Sequence, residues 1–487
     1  MKTGLAPALP DERKGTDDMT RDFASDALRR ALKKRMPGWA QALLWALASA
    51  VFYAFALNAR YARMEEFASF RLEELTRLTA VVYTGIFAVS LAVQMRVARG
   101  LESYMQVLLA LLTGLILLGK ISLLDYVSDD YSIFLSNWIY DYSQMSLRQG
   151  LGWYIGTDYT PPYLYLLQII SRVDSYPWQY LVKAVSIFTE ILLAYTVMKI
   201  AGLRVRGTGA QLLIFHIASI LPTVVFNGAY WAQCDAIYVS FCLLGLYLGL
   251  TGRGARSMMA FGVALSFKLQ TVFFLPVLLP LWLRRDVKLR HVLLIPAFYM
   301  IMMIPALWGG KSLNHVLTAY IKQADQYSYI TMNGPSLYHL MTGTLSADAL
   351  YEMFGAMAIL LAFALVLALC VLVSVYRDRL TDEAVVLSCL LMLSGVPFFL
   401  PKMHERYTFG ADVLALAAAA YRPRRIALPL LFGLASYICY TAGLPGDNLM
   451  DLKWATMFQG AGVALTAAAL WHSLHENKEA IGMEVKA

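Results

Sequence analysis

The sequence predicts an all-α membrane protein that crosses the bilayer many times. Of its 487 residues, 59% are hydrophobic and 15% are charged, and the mean hydropathy is +0.55. A soluble domain carries about a quarter charged residues, so this chain has too little polar surface to cover itself in water. Apolar runs of roughly 17–25 residues, the length that crosses a bilayer core, recur along the chain. Examples are residues 39–57, 106–124, 291–308 and 354–376.

The first 38 residues carry charges of both signs, and they are too long for the short basic region of a secretory signal. We expect a cytoplasmic tail that ends in an amphipathic helix. The formal net charge of the chain is +8. Basic residues collected in short cytoplasmic loops explain this charge better than nucleic-acid binding does.

Five cysteines lie in or beside apolar runs and show no CxxC or Cys/His metal-binding spacing. We expect small, buried residues with free thiols. They are Cys234, Cys242, Cys370, Cys389 and Cys439.

Clusters of Lys and Arg between the apolar runs predict the topology. The positive-inside rule places such clusters in the cytoplasm, which leaves both termini inside. An even number of crossings between neighbouring clusters gives about 14 membrane segments, some of them half-crossings. The clusters are the N-terminal tail, Arg96 with Arg99, Arg204 with Arg206, Arg253 with Arg256, residues 284–290, Arg377 with Arg379, and Arg422 with Arg424 and Arg425.

Residues 258–283 are flanked by basic clusters on both sides, so they must enter and leave the membrane from the same face. Polar residues interrupt the middle of this run, at Ser266, Lys268 and Gln270. We therefore predict two half-crossings that meet near Lys268 on the outer side.

Three loops then face outward, at residues 125–178, 309–351 and 401–407. The first is the largest, and we expect juxtamembrane helices within it. The predicted organisation is a cytoplasmic tail (1–38), two accessory spans (39–102), a central membrane module (103–421), and C-terminal spans with a cytoplasmic tail (422–487).

The first outward loop begins with Asp129 and Asp130, directly after an apolar run. A carboxylate at this boundary is suited to act as a general base on an acceptor hydroxyl. The alternative is that the pair caps the N-terminus of a juxtamembrane helix. Phe134 and Trp138 follow at helical spacing, which suits an interfacial helix in either case.

Further along this loop, Asp158 and Tyr159 precede two prolines that stiffen an extended entry to a tyrosine-rich helix. The simpler interpretation is a turn followed by an aromatic belt. Later, Gln233 and Asp235 stand at the outer end of an apolar run. An unpaired charge near hydrocarbon costs roughly 2.5–3.5 kcal/mol, so Asp235 needs a partner or a function.

Lys268 needs a cavity or a counter-ion for the same reason, because it lies among phenylalanines. Snorkelling to the interface is the alternative. The third outward loop places Lys402, His404, Glu405 and Arg406 within five positions. Arginine holds phosphate through paired hydrogen bonds, whereas the alternative is a Glu–Arg pair that ties two helix ends together. His404 either donates to the same phosphate oxygens or is a structural histidine.

Four segments in this order resemble the motifs of the GT-C superfamily of integral membrane glycosyltransferases. The similarity is greatest to bacterial relatives of the glycosylphosphatidylinositol mannosyltransferases and to the dolichyl-phosphate-glucose glucosyltransferases. It spans roughly residues 106–421. The matching segments are Asp130-Tyr131 with Trp138, Asp158-Tyr159-Thr160-Pro161-Pro162, Ser266-Phe267-Lys268-Leu269-Gln270, and Met403-His404-Glu405-Arg406.

The resemblance implies an inverting transfer of one sugar, such as mannose or glucose, from a polyprenyl-phosphate donor on the extracytoplasmic face. The first-loop aspartate is then the base; we prefer Asp130 to Asp129. Arg406, Lys268 and His404 would bind the donor phosphate. Supporting roles fall to Glu405, which would orient Arg406, and to Asp158, Tyr159, Gln233, Asp235, Gln270 and Trp138.

The expected partners are the lipid-linked sugar, a lipid or cell-envelope glycan acceptor and membrane lipids, in a bacterial cytoplasmic membrane. Tyr159, Tyr163 and Trp138 could stack on sugar rings, and Gln323, Asp325 and Asn333 could reach the acceptor. No cofactor is certain, although Asp125, Asp129, Asp130 and Asp158 together could bind a divalent cation. A polymerase or ligase of lipid-linked polysaccharides is the nearer alternative function, and a secondary transporter is the more distant one.

Overall fold

The computed structural model describes residues 37–61, 70–98, 100–153, 159–324, 328–342, 346–444 and 450–484. These residues form helices joined by turns and short irregular segments. They contain no β-strand; among their isolated β-bridges, Met332 and Asn333 pair with His404. The N-terminal tail, apart from its last two residues, lies outside the described part.

In its described residues, the N-terminal half contains ten α-helices, two of which adjoin a wider π-helical turn. Residues 131–135 form the first π-helical turn, just before α4, and residues 226–230 form the second, just after α9. The α-helices are α1 (Gly38–Tyr61), α2 (Phe70–Val97), α3 (Ser103–Ile121), α4 (Ser136–Ser143), α5 (Leu147–Gly152), α6 (Pro161–Ile170), α7 (Trp178–Ala201), α8 (Thr208–Ile220), α9 (Pro222–Val225) and α10 (Asp235–Leu250).

The part of the C-terminal half that the structure describes adds nine α-helices, with 3-10 turns between several of them. The helices are α11 (Gly254–Phe267), α12 (Leu278–Leu283), α13 (Leu294–Trp308), α14 (Leu313–Ala324), α15 (Ala347–Val375), α16 (Asp382–Phe399), α17 (Phe409–Tyr421), α18 (Ala427–Gly443) and α19 (Leu452–Glu484).

Among the described residues, eight helices are long and apolar enough to cross a membrane. The count becomes nine if the bent pair Thr208–Ile220 and Pro222–Tyr230 is one span. Three shorter apolar helical stretches are Asp235–Leu250, Leu269–Leu283 and Phe409–Tyr421. The predicted count of about 14 segments is therefore not confirmed for the described residues. Those three stretches fall short of the roughly 20 residues with which a single helix crosses a bilayer, so length alone does not count them as spans.

The break predicted at Lys268 is present. α11 ends at Phe267, and Lys268 takes an extended conformation with φ −153° and ψ 138°. The chain then continues as 3-10 turns at Leu269–Phe273 and Leu275–Val277 before α12. A 3-10 turn makes poorer hydrogen bonds than an α-helix does, which is consistent with a polar interruption inside an apolar run.

The loop at residues 125–178 contains helices, as predicted. α4, α5 and α6 pack together and against α7 and α10 through buried residues such as Leu135, Ile139 and Leu167. One apolar cluster joins α1 and α2 to α3 and α7. A second cluster joins the central helices α7 to α13 with α15 to α17. All five cysteines have free thiols; four are buried and Cys370 is partly buried.

Candidate functional site

A cavity of about 590 Å³ lies where the first loop, the Lys268 break and the 401–407 loop meet. Cavities of this size are typical of small-molecule sites. Residues that the sequence singled out form much of its wall: Asp130, Trp138, Tyr159, Gln233, Lys268, Gln270, Gln323, His404, Glu405 and Arg406. Five segments far apart in sequence are thus brought to one place.

Asp130 is held at this wall by two donors from other elements. Its Oδ2 accepts a hydrogen bond from Gln233 Nε2 at 2.6 Å and another from Arg406 Nη1 at 2.7 Å. The Asp130 side chain makes no capping hydrogen bond; Ser128 instead accepts from the backbone N–H of Tyr131. The capping interpretation is therefore wrong for Asp130.

Asp129 is exposed and is not part of the cavity wall. Of the two neighbouring carboxylates, only Asp130 contacts the groups expected at the site. The preference for Asp130 over Asp129 therefore agrees with the geometry.

Arg406 is positioned by an aromatic ring as well as by Asp130. Its guanidinium lies over the ring of Trp231, 5.1 Å from the ring centroid, a favourable cation–π arrangement. Its Nε is buried and has no hydrogen-bond partner in the described part of the chain. A buried N–H without a partner costs about 1–3 kcal/mol, so this atom is a ready donor for a bound anion.

Aromatic rings line the side of the cavity formed by the first loop. Tyr159 donates from its hydroxyl to Gln233 Oε1 at 3.1 Å, so it fixes the amide that contacts Asp130. Its ring packs edge-on against Trp138 at 5.9 Å, and Trp138 in turn meets Phe134. Tyr163 is 97% buried beneath Tyr159 rather than in the cavity wall, so it supports the Tyr159 ring instead of presenting its own.

Lys268 in the cavity wall forms a buried ion pair with Asp235. Lys268 is 5% exposed and Asp235 is fully buried. Asn227 Nδ2 donates to the second oxygen of Asp235 at 2.8 Å and also contacts the hydroxyl of Tyr440 at 3.2 Å. Both predictions of a partner are confirmed, and snorkelling of Lys268 is excluded by its burial.

The 401–407 loop is held by backbone hydrogen bonds from residues 330–334. Met332 and Gly334 both donate their N–H to the carbonyl of Met403 at 3.1 Å, and Lys402 donates to Ile330 at 3.3 Å. Lys402 has φ +65°, a conformation rare for a side-chain-bearing residue and one that often accompanies functional sites. The loop is therefore a fixed part of the wall.

His404 cannot contribute the positive charge that we expected of it. Burial, with the neighbouring Arg406 adding to the effect, lowers the pKa of His404 to about 3. The imidazole is neutral at physiological pH and can offer at most one N–H to a ligand.

Glu405 does not orient Arg406 by an ion pair, because the partner of Arg406 is Asp130. The carboxyl group of Glu405 lies instead against Gly443 at the end of α18. Burial raises the pKa of Glu405 to about 7, although Arg406 acts in the opposite direction. The alternative in which a Glu–Arg pair ties two helix ends together is also wrong.

The remaining predicted residues do not line the cavity in the described part of the chain. Asp158 and Asp325 lie outside the described residues, and Asn333 pairs with His404 through its backbone rather than lining the cavity. Asp125 accepts a hydrogen bond from the hydroxyl of Tyr180. Among the residues that the structure describes, no group of three or more His, Cys, Asp or Glu could hold a metal ion.

Several residues of the site escaped the sequence interpretation. Trp231 and Tyr351 line the cavity but were given no role, and Lys402 was not separated from its charged neighbours. Asn227 was hidden in an apolar run, where a lone amide is a signal that an ion or a polar partner lies nearby. Comparison of the chain with protein-family models, with curated proteins and with solved structures finds no match.

Proposed function

We propose that this chain is an inverting glycosyltransferase of the GT-C type that is embedded in the bacterial cytoplasmic membrane. It moves a single hexose from a polyprenyl-phosphate donor to a lipid or cell-envelope glycan acceptor on the extracytoplasmic side. The observation that carries this proposal is Asp130, held by Gln233 and Arg406 at the wall of a cavity large enough for a sugar.

The reaction balances with the groups in this wall. Asp130 takes the proton of the acceptor hydroxyl while that oxygen attacks the anomeric carbon. The bond from the anomeric carbon to the phosphate oxygen breaks, and polyprenyl phosphate leaves with the electron pair. The leaving group gains one negative charge, so it needs nearby cations rather than a proton donor.

Arg406 is the group best placed to stabilise this leaving charge. Its buried Nε has no partner among the described residues, whereas its Nη1 is engaged with Asp130. One guanidinium can therefore contact the base and the phosphate together. Lys268 adds a second cation at the cavity wall, although its charge is shared with Asp235.

The apolar part of the cavity suits the prenyl chain of the donor. Its wall includes the apolar side chains of Val272 and Ile359, which are 36% and 39% exposed. The polar end with Asp130 and the apolar end thus belong to one cavity, as a sugar joined to a lipid requires.

The donor is tested by incubating purified protein with labelled polyprenyl-phosphate hexoses or with a polyprenyl-diphosphate oligosaccharide, together with an envelope lipid extract. We expect transfer of single hexoses from the monophosphate donors by the wild type and by Asp158→Asn, but not by Asp130→Asn. Transfer of the oligosaccharide alone would instead identify a polymerase or ligase. Transport of either donor without a transferred product would identify a carrier.

A further inference from the structure

Helix α14 has three distinct faces, set by the periodicity of about 3.6 residues per turn. Val316 and Tyr320 lie on the face that packs against the bundle, next to Gln323 at the cavity wall. Leu313, Leu317 and Ile321, spaced four residues apart, form a second face. A third face carries Asn314, Thr318 and Lys322.

The second face is a stripe of large apolar side chains that the bundle leaves uncovered. Leu313, Leu317 and Ile321 are 51%, 56% and 65% exposed. Such a stripe between a packed face and a polar face is typical of a helix that lies at a membrane surface.

α14 folds back along α13, and the exposed side of α13 is also apolar. The hydroxyl of Tyr299 in α13 donates to the carbonyl of Val316 at 2.8 Å, and the rings of Tyr299 and Tyr320 are 6.1 Å apart. α13 belongs to the candidate span Leu289–Trp308, of which only 17% is buried in the bundle. Its own exposed residues include Ile301, Ile304 and Trp308.

Geometry limits how far α14 extends through the bilayer. Its 12 residues make a helix about 18 Å long, whereas the hydrocarbon core is about 30 Å thick. Only four residues separate it from the end of α13. It therefore begins at that end of the span and is too short to reach the opposite face.

We propose that α14 is a membrane-seated helix whose stripe of Leu313, Leu317 and Ile321 lies among the acyl chains of one leaflet. The occupant of this stripe is bilayer lipid, because the adjoining span presents an exposed apolar surface of the same kind. The polar third face lies toward water or lipid headgroups. Gln323 projects from the far edge of the same helix, so the lipid-seated helix forms one wall of the cavity.

The test places an environment-sensitive fluorophore on each exposed face of α14. Full-length Leu317→Cys and its matched control Asn314→Cys are made in a Cys370→Ser background, since the other four cysteines are buried. Each labelled protein is reconstituted into phosphatidylcholine vesicles. Quenching is measured with a lipid that carries a nitroxide on its acyl chain, and separately with aqueous iodide.

We expect the acyl-chain nitroxide to quench the label at position 317 several-fold more strongly than the label at position 314, and iodide to show the reverse order. Equal quenching of both positions by iodide would overturn the proposal. Protection of position 317 from both quenchers would also overturn it, because protein would then cover the stripe. If Leu317→Cys fails to fold, Ile321→Cys gives the same comparison.

Discussion

The carboxylate of Asp130 accepts a 2.7 Å hydrogen bond from the guanidinium of Arg406, although 276 positions separate the two residues. In the proposed reaction one of them receives a proton and the other binds the leaving phosphate. Their contact therefore joins the acceptor and the donor halves of the site through a single ion pair.

Arg406→Lys tests the role of the guanidinium at the donor phosphate. Lysine keeps the charge but loses the planar set of donors that can serve Asp130 and a phosphate together. A hydrogen bond to a charged group is worth about 1.5–3 kcal/mol, so we expect roughly a 10- to 100-fold loss of kcat/KM for the donor. Steady-state transfer rates measure this loss. Arg424→Lys, at a side chain 66% exposed, is the control and should behave as wild type.

The buried pair of Lys268 and Asp235 should show strong coupling in stability. Lys268→Met leaves a buried carboxylate without its cation, which typically costs roughly 3–5 kcal/mol. The double variant Lys268→Met with Asp235→Asn removes both charges, so it should lose less stability than Lys268→Met alone. Thermal unfolding in detergent compares the single and double variants. Strictly additive losses would show that the two residues do not stabilise each other.

Gly334 allows residues 330–334 to pack against the 401–407 loop. A Cβ at this position would lie 2.6 Å from the carbonyl oxygen of Met403 and 2.9 Å from that of His404. Gly334→Ala should therefore displace the loop that carries Arg406 and cost about 1–3 kcal/mol of stability, with a loss of transfer activity. Gly433→Ala is the matched control, since nothing lies within 4 Å of its added Cβ. Unchanged activity in Gly334→Ala would argue against a fixed loop.

Glu405 makes stability depend on pH in a defined direction. Burial raises its pKa from the ordinary value of 4.5 to about 7 in the folded protein. Between these values the folded state holds a proton that the unfolded state has released, so this group's contribution to stability falls as pH rises from about 4.5 to 7. Glu405→Gln removes this fall.

The variant should therefore gain stability relative to wild type between pH 5 and pH 8, as measured by melting temperatures in detergent. His404 has the opposite effect, since its pKa is lowered to about 3. The contribution of His404 to stability is lost as pH falls through about 6.5 toward 3. Wild type and Glu405→Gln both contain His404, so its effect cancels when the two are compared. A difference in melting temperature between wild type and Glu405→Gln that stays constant from pH 5 to pH 8 would contradict the raised pKa of Glu405.

The residues of the site were largely predictable, whereas their pairing was not. Charged groups within apolar runs, such as Asp235 and Lys268, stand out because burying them is costly. Which charge meets which depends on how helices pack, so the sequence paired Arg406 with its neighbour Glu405 instead of with Asp130. The neutral state of His404 likewise depends on burial that only the folded structure provides.

The fold shows the same division. Long apolar runs and the polar break at Lys268 were identified from composition alone. The number of crossings was not, because the bend between α8 and α9 and the short helices α10 and α17 depend on packing within the bundle. Trp231 could be assigned to the site only after its ring was seen beneath Arg406.

The most direct test compares Asp130→Asn with Asp129→Asn in a transfer assay that also determines the anomeric configuration of the product. A general base contributes about 10²–10⁴ to the rate. We predict a loss of that order in Asp130→Asn, nearly wild-type rates in Asp129→Asn, and an inverted configuration wherever product forms. Equal rates for Asp130→Asn and wild type, or a product with retained configuration, would contradict the assignment of Asp130 as the base.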